Sequence, residues 1–226
     1  MDPLQIRENE VFEALKLLKE LRFVIIGGYA LNAYSLPRFS VDCDIVLEDG
    51  KNLNGLEKML LGFGYKRVNA GKTGYGGSFN RYEKRLAESF KVSFDILVGQ
   101  VIDRQTGSSF SAGWIFKNSK IRELKGKTIV EKLKVRIIDI DALFVMKMVS
   151  CRSTDMRDLF MLILEVADRD WIKREISMRC NFNDRLGKLK SKIGSKQFRD
   201  GLQGIYGLID NQLFEKSVQA ISSLEK

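Results

Sequence analysis

Three aspartates set the chemistry this sequence could perform. Asp42 and Asp44 lie two apart in the stretch 41–47, where Val41, Cys43, Ile45 and Leu47 alternate with them. That alternation is the pattern of a half-buried strand with its apolar residues on one face and both acids on the other. Carboxylates so placed project the same way from Cα atoms roughly 6.5 Å apart and can converge on a hard cation. Asp95, inside a second strand-like stretch at 90–98, could add a third acid from a neighbouring strand. Three acids held together repel one another unless a cation neutralises them, so the set points to magnesium or manganese. In a two-metal site with ions about 4 Å apart, one ion activates the attacking oxygen and the other stabilises the leaving group. Taken alone, an Asp-x-Asp also fits an ordinary exposed strand face.

The elements that must position these acids can be read from hydrophobic spacing. Val11, Phe12, Leu15, Leu18 and Leu21 recur at helical intervals, which predicts an amphipathic helix ending near Arg22. The apolar run 23–26 predicts a buried strand stopped by Gly27-Gly28, with a short helix over 29–34 broken at Leu36-Pro37. A glycine pair between a strand and a helix lets a phosphate approach backbone N–H groups, and a side chain at Gly28 would fill the space a phosphate needs. The same pair also serves as a plain tight turn. Further along, the pattern predicts a helix at 53–61, strands at 65–68, 79–86, 90–98 and 135–138, and a glycine-rich connection at 71–77. The stretch 100–127 carries no clear period. Beyond 139 only helical patterns follow, at 142–150, 155–167, 171–179, 184–193 and 205–224. The expected organisation is an α/β domain over 1–138 followed by a helical domain over 139–226.

Composition narrows the classes of function. The chain has 226 residues, 44% hydrophobic and 30% charged, with 2 prolines and no histidine. Histidine-based triads and His general bases are therefore excluded. Cys43, Cys151 and Cys180 are too scattered for a zinc site or a disulfide framework. The apolar runs are far shorter than a bilayer span and the N-terminal ten residues are polar, so a cytoplasmic protein without membrane segments is expected. Net charge is +9, and residues 172–199 hold nine Lys or Arg against two acids. Within this stretch Leu186, Leu189 and Ile193 mark a buried helix face, while Arg185, Lys188 and Lys192 line the adjoining one. That basic stripe fits RNA phosphates, and it equally fits a solvated helix face.

The order of parts in residues 24–47, VIIGGYALNAYSLPRFSVDCDIVL, resembles the first motif of the nucleotidyltransferase superfamily, in particular AbiEii-type toxin nucleotidyltransferases and their minimal relatives. In that pattern a Gly-Gly turn opens a short helix, an Arg-x-Ser follows, and an Asp-x-Asp lies on the next strand. These fall at Gly27-Gly28, Arg38-Phe39-Ser40 and Asp42-Cys43-Asp44. Residues 139–162 resemble the family's helical signature, with Lys147, Arg152, Asp155 and Asp158 in the matching places. The resemblance covers roughly residues 10–167. Tyr29 departs from it where relatives often carry Ser or Thr, and Thr154 where a Lys commonly precedes the first of the two acids. The resemblance implies a nucleotidyltransferase-type mixed sheet with flanking helices and a metal-bound nucleoside triphosphate. Gly27, Gly28, Arg38, Ser40, Lys147, Asp155 and Asp158 would contact the nucleotide, and Asp42, Asp44 and Asp95 would form the catalytic metal site. The implied acceptor is RNA, transfer RNA above all, and a cognate antitoxin is an implied partner.

Other features have simpler readings. Gly71-Lys72-Thr73 echoes a P-loop ending, but Lys66 stands where the first glycine of that motif is required. Asp139 and Asp141 form a second Asp-x-Asp in which Asp141 reads as a helix cap. Arg152, Asp155 and Asp158 are also spaced as a surface salt-bridge row, and Lys147 could be a solvated lysine on an apolar helix. The expectation is magnesium-dependent nucleotidyl transfer. A nucleotide-binding regulatory protein without turnover and a basic RNA-binding module are the alternatives.

Overall fold

The apolar run at 23–26 supplies the interior of a seven-stranded sheet in this computed structural model, which describes residues 2–68, 79–87 and 90–225. In chain order the elements are α1 (Pro3–Leu18), β1 (Val24–Ile26), α2 (Gly27–Leu31), β2 (Asp42–Leu47), α3 (Leu53–Gly62), β3 (Lys66–Val68), β4 (Phe79–Ala87) and β5 (Phe90–Val98). They continue with β6 (Gln100–Ile102), β7 (Ser109–Ser111), α4 (Ala112–Lys117), β8 (Ser119–Lys125) and β9 (Lys132–Ile138). The remainder is helical: α5 (Ile140–Ser150), α6 (Ser153–Leu162), α7 (Arg169–Ser177), α8 (Phe182–Ile193), α9 (Lys196–Tyr206) and α10 (Asn211–Ser222). The chain divides into two compact units, one of residues 1–33, 37–102 and 110–138, the other of residues 34–36, 103–109 and 139–226.

The sheet runs β3-β4-β5-β2-β1-β9-β8. β1 pairs antiparallel with β2 and parallel with β9, and β2 pairs parallel with β5. Its register places Ile137, Ile25, Ile45 and Ile96 in one row across four strands, all fully buried. Burying each such side chain is worth about 1.5–3 kcal/mol. One residue along, where side chains point to the opposite face, the row reads Ile26, Asp44, Asp95 and Arg81. A one-residue slip of β2 would put its acids among the isoleucines, so the core fixes the register that assembles the polar row. In α1, Val11, Phe12, Leu15 and Leu18 are buried, and Asp2 caps the start by accepting from the Leu4 N–H at 3.0 Å.

The stretch 100–127 contains the short β6 and β7, the short α4 and the whole of the edge strand β8. Elements of three to six residues are too brief for a period to show. The helix expected over 205–224 is the shorter α10, which Asp210 caps by accepting from the Leu213 N–H, and α9, which ends before Gly207 at φ +86°, was not expected as a helix. The Gly71-Lys72-Thr73 stretch lies outside the described residues. In the second unit α5 buries Ala142, Leu143, Phe144, Val145, Met148 and Val149, which makes it apolar nearly all round. Among the described residues no helix is long and apolar enough to cross a membrane.

Candidate active site

The turn from β1 into α2 meets the acids of β2 at close range. Gly27 has φ +68°, and a Cβ there would stand 2.1 Å from Asp44 Oδ2. Glycine is thus required twice, by backbone conformation and by the carboxylate resting against it. At Gly28 a Cβ would come 2.6 Å from Ser40 Oγ and 3.1 Å from Arg38 Nη2. The positive φ falls at Gly27, and the space beside Gly28 that a phosphate was expected to need is taken by Ser40 and Arg38. A Gly27→Ala substitution is expected to lower stability by about 1–3 kcal/mol through backbone strain, with the carboxylate collision added. Chemical denaturation checks this, and unchanged stability would mean that Asp44 is not seated on the turn.

The chain between α2 and β2 is tied down by a buried amide. Asn32 Nδ2 donates to the Arg38 carbonyl at 3.0 Å, and Asn32 Oδ1 accepts from the Arg38 N–H at 3.1 Å. Asn32 is fully buried, so both bonds are shielded from water. Arg38 Nη1 donates to the Phe39 carbonyl and Ser40 Oγ to the Asp42 carbonyl, each at 3.1 Å. Tyr29, the departure from the family pattern, is a buried support whose hydroxyl reaches the Ser40 carbonyl at 3.5 Å.

Seven residues singled out from the sequence, Gly27, Gly28, Arg38, Ser40, Asp42, Asp44 and Asp95, share the first unit along this face. Asp44 is the register partner of Asp95, and Asp42 of Ser93, whose hydroxyl donates to Asp42 Oδ1. Arg81 was not foreseen. It stands opposite Asp95 on β4, donates from Nε and Nη2 to the two oxygens of Asp95 at 2.7 Å each, and lies 3.3 Å from Asp42 Oδ1. The hydrogen bond to Asp95 holds the guanidinium pKa above its ordinary value. On the other face of β2, burial first and then Asp44, Asp95 and Asp42 push the Cys43 thiol well up. Among the described residues no three acid or cysteine side chains gather as a group that could hold a metal. Asp42 and Asp44 remain together on one face, with the Asp42 side chain 41% exposed.

Lys147, Asp155 and Asp158 form their own cluster in the second unit. Lys147 Nζ lies 2.6 Å from Asp158 Oδ2 and 3.3 Å from Asp155 Oδ1. Asp158 Oδ1 accepts from the Tyr206 hydroxyl, and Asp155 Oδ2 accepts from the backbone N–H and Nε of Arg152. Lys147 is buried rather than solvated, and Asp158 turns inward, so only Arg152 and Asp155 pair as the surface-row reading expected. Asp139, not Asp141, occupies the cap position of α5. Asp141 instead accepts from the N–H groups of Ala167 and Asp168, tying the segment before α7 to the start of α5. On α8, Leu186, Leu189 and Ile193 are buried, Lys188 and Lys192 exposed, and Arg185 half-buried.

No family model matches this chain, and no curated protein matches it. Among solved structures it is similar to JHP933 from Helicobacter pylori, with a TM-score of 0.51 at 17% identity over 99% of this chain and 90% of that one. It is also similar to a proposed nucleotidyltransferase from H. pylori, with a TM-score of 0.51 at 18% identity over 99% of this chain and 93% of that one. At such identity the likeness is one of fold. It bears out the mixed sheet with flanking helices expected from the sequence, and it does not extend to the AbiEii subgroup.

Proposed function

We propose that this chain is a nucleotidyltransferase that moves a nucleoside monophosphate from a triphosphate onto an acceptor hydroxyl. The observation that carries the reading is Asp44 seated on the Gly27 turn, two residues along β2 from Asp42 and on the same face. The fold shared with a proposed nucleotidyltransferase supports it at a coarser level. Magnesium fits the two acids, because it is commonly held by one or two carboxylates while substrate phosphates supply other ligands. When bound there, it would neutralise the triphosphate and stabilise the charge that develops on transfer.

The chain's own groups position the substrate. Gly27 and Gly28 open α2, whose first N–H groups lack helical partners and suit phosphate oxygens. Arg38, anchored through Asn32, adds positive charge beside that turn. Catalysis is then positioning and electrostatics: the acceptor oxygen attacks the α-phosphorus, the bond to the β-phosphate breaks, and pyrophosphate leaves while the hydroxyl proton passes to solvent. A nucleotide-binding protein without turnover is the second reading. It is favoured by the Arg81 pairing of Asp95, the third acid of the expected metal site.

The acceptor proposed is RNA, on the strength of the basic stripe on α8. With each of the four triphosphates and total RNA, label transfer and pyrophosphate release are expected for at least one. Pyrophosphate release in none of them would exclude turnover. Replacing Arg185, Lys188 and Lys192 together with Gln should flatten the log-log salt dependence of RNA binding by about two to three units. RNA affinity that is independent of salt in the unaltered protein would remove RNA as the acceptor.

A further inference from the structure

The first unit has a basic surface of its own, apart from the stripe on α8. Residues 117–136, from the end of α4 through β8 and β9, hold eight Lys or Arg against two acids. Strand geometry sorts them by face. Ile137 lies in the buried isoleucine row, so Arg136, Lys134 and Lys132 alternate with it and project from the face that carries Asp44. Their register partners Ile121, Glu123 and Lys125 project on the same side. Arg136 is half-buried and the other five are exposed, whereas Leu133, Val135 and Ile137 on the reverse face are buried. We infer that this open face of β8 and β9 carries the sugar-phosphate backbone of the RNA acceptor toward the acids of β2. This rests on the nucleotidyl-transfer reading with RNA as acceptor, and it names the surface that holds the RNA.

The sign and arrangement of the charges call for a polyanion. Four cations and one acid share this face, and the acid, Glu123, is engaged by Lys132 at 3.1 Å. A face kept charged for solubility alone mixes both signs. Lys125 and Lys132 are register partners, and like charges directly opposite one another weaken a strand pair unless an anion lies over them. Protection of a sheet edge does not account for the set, because β8 is the edge strand while Lys132, Lys134 and Arg136 are on β9, the next strand in. Their spacing suits a linear partner. The three recur at every second residue, roughly 6.5 Å apart, and only β1 separates β9 from β2, a distance of about 10 Å across the sheet. Ile121, 59% exposed and opposite Arg136, offers apolar surface to a base or ribose between the charges. The face is also held in shape. Glu8, buried on α1, accepts from the Lys127 N–H at 2.6 Å and from the N–H and hydroxyl of Thr128 at 2.8 and 2.6 Å, which pins the turn between the strands. Arg136 Nη1 donates to the Ser119 carbonyl at 3.2 Å. A surface fixed in advance avoids part of the ordering cost of binding. A row that shares its face with the acid site favours a backbone continuing into that site over an anionic lipid surface.

Salt titration of the binding of labelled bulk transfer RNA tests the surface without requiring turnover. Lys125→Gln with Lys134→Gln, both at exposed strand positions, should flatten the log-log salt slope by about 1.5 and weaken binding about fivefold to tenfold at low salt. Lys19→Gln with Lys58→Gln removes the same charge from the end of α1 and from α3, and should leave the slope within about 0.3 of the unaltered value. An unchanged slope in the β8–β9 pair, or equal flattening by the control pair, would overturn the inference and leave nucleotidyl transfer standing. So would release of the β8–β9 pair from phosphatidylserine vesicles with RNA binding intact, which would make the face a lipid surface. Should the double variant fail to fold, Lys134→Gln alone should flatten the slope by about 0.7, and no change there would be equally decisive against the surface. Pyrophosphate release measured alongside separates the two levels. The expected flattening in a protein that releases none with any triphosphate would support the RNA surface and overturn its role in transfer. Pyrophosphate release with a small-molecule acceptor and no RNA binding would overturn the surface alone.

Discussion

Asp44→Asn should reduce nucleotidyl transfer by about a thousandfold or more while the folded protein keeps its stability or gains slightly. The carboxylate sits against Gly27 and opposite Asp95 in the same row, on the face it shares with Asp42. An amide of the same shape preserves that packing but removes the negative charge on which a bound cation and its triphosphate depend. It also relieves like-charge repulsion between the acids that share this face. The two effects act in opposite directions, which makes the variant informative: activity collapses, whereas the thermal midpoint stays level or rises. Transfer at the unaltered rate, with the same metal requirement, would show that the site lies elsewhere. Loss of activity together with a large fall in the midpoint would show that Asp44 supports the fold and would leave its chemical role unsupported.

The legibility of this site in the sequence has a clear physical origin. Asp42 and Asp44 were visible because strand geometry turns a two-residue spacing into a shared face, and Cys43, Ile45 and Leu47 declared the other face apolar. Gly27-Gly28 was visible because the preceding run was continuous and apolar. Arg81 was not, since its meaning lies in being opposite Asp95 across β4 and β5, and a register between strands is written in no single segment. Asn32 was hidden for a related reason. Its side chain serves the backbone of Arg38, six residues on, and an amide near the end of a short helix has no distinguishing pattern. The positive φ at Gly27 depends on how the turn meets Asp44, which only the assembled sheet decides. The helical half is read less finely at its end, where hydrophobic spacing leaves α9 unassigned and starts the last helix at 205, before the Gly207 break and the Asp210 cap that set its true start.

Lys147→Met should destabilise the protein by about 3–5 kcal/mol, the usual cost of leaving a buried charge without its partner. Lys147 on α5 is 7% exposed at its side chain, and the two carboxylates it joins on α6 are 5% and 2% exposed. Methionine fills the volume of the lysine stem but leaves Asp155 and Asp158 without the ammonium that compensates them. Asp158 would keep the Tyr206 hydroxyl on its other oxygen, and Asp155 the bonds from Arg152, neither of which supplies the lost ammonium. The loss would extend beyond one pair, because the cluster joins α5, α6 and the end of α9. Adding Asp155→Asn and Asp158→Asn to Lys147→Met should recover a substantial part of the loss, since removing all the charges removes the uncompensated ones. Urea denaturation of the single and triple variants measures both effects. The family resemblance makes a different forecast, in which Lys147 grips the triphosphate. On that account Lys147→Met would leave the urea midpoint in place and weaken nucleotide binding alone, and the triple variant would restore nothing. A fall in midpoint followed by recovery assigns the lysine to the helical core, because a contact with substrate contributes nothing to the stability of the protein measured without it.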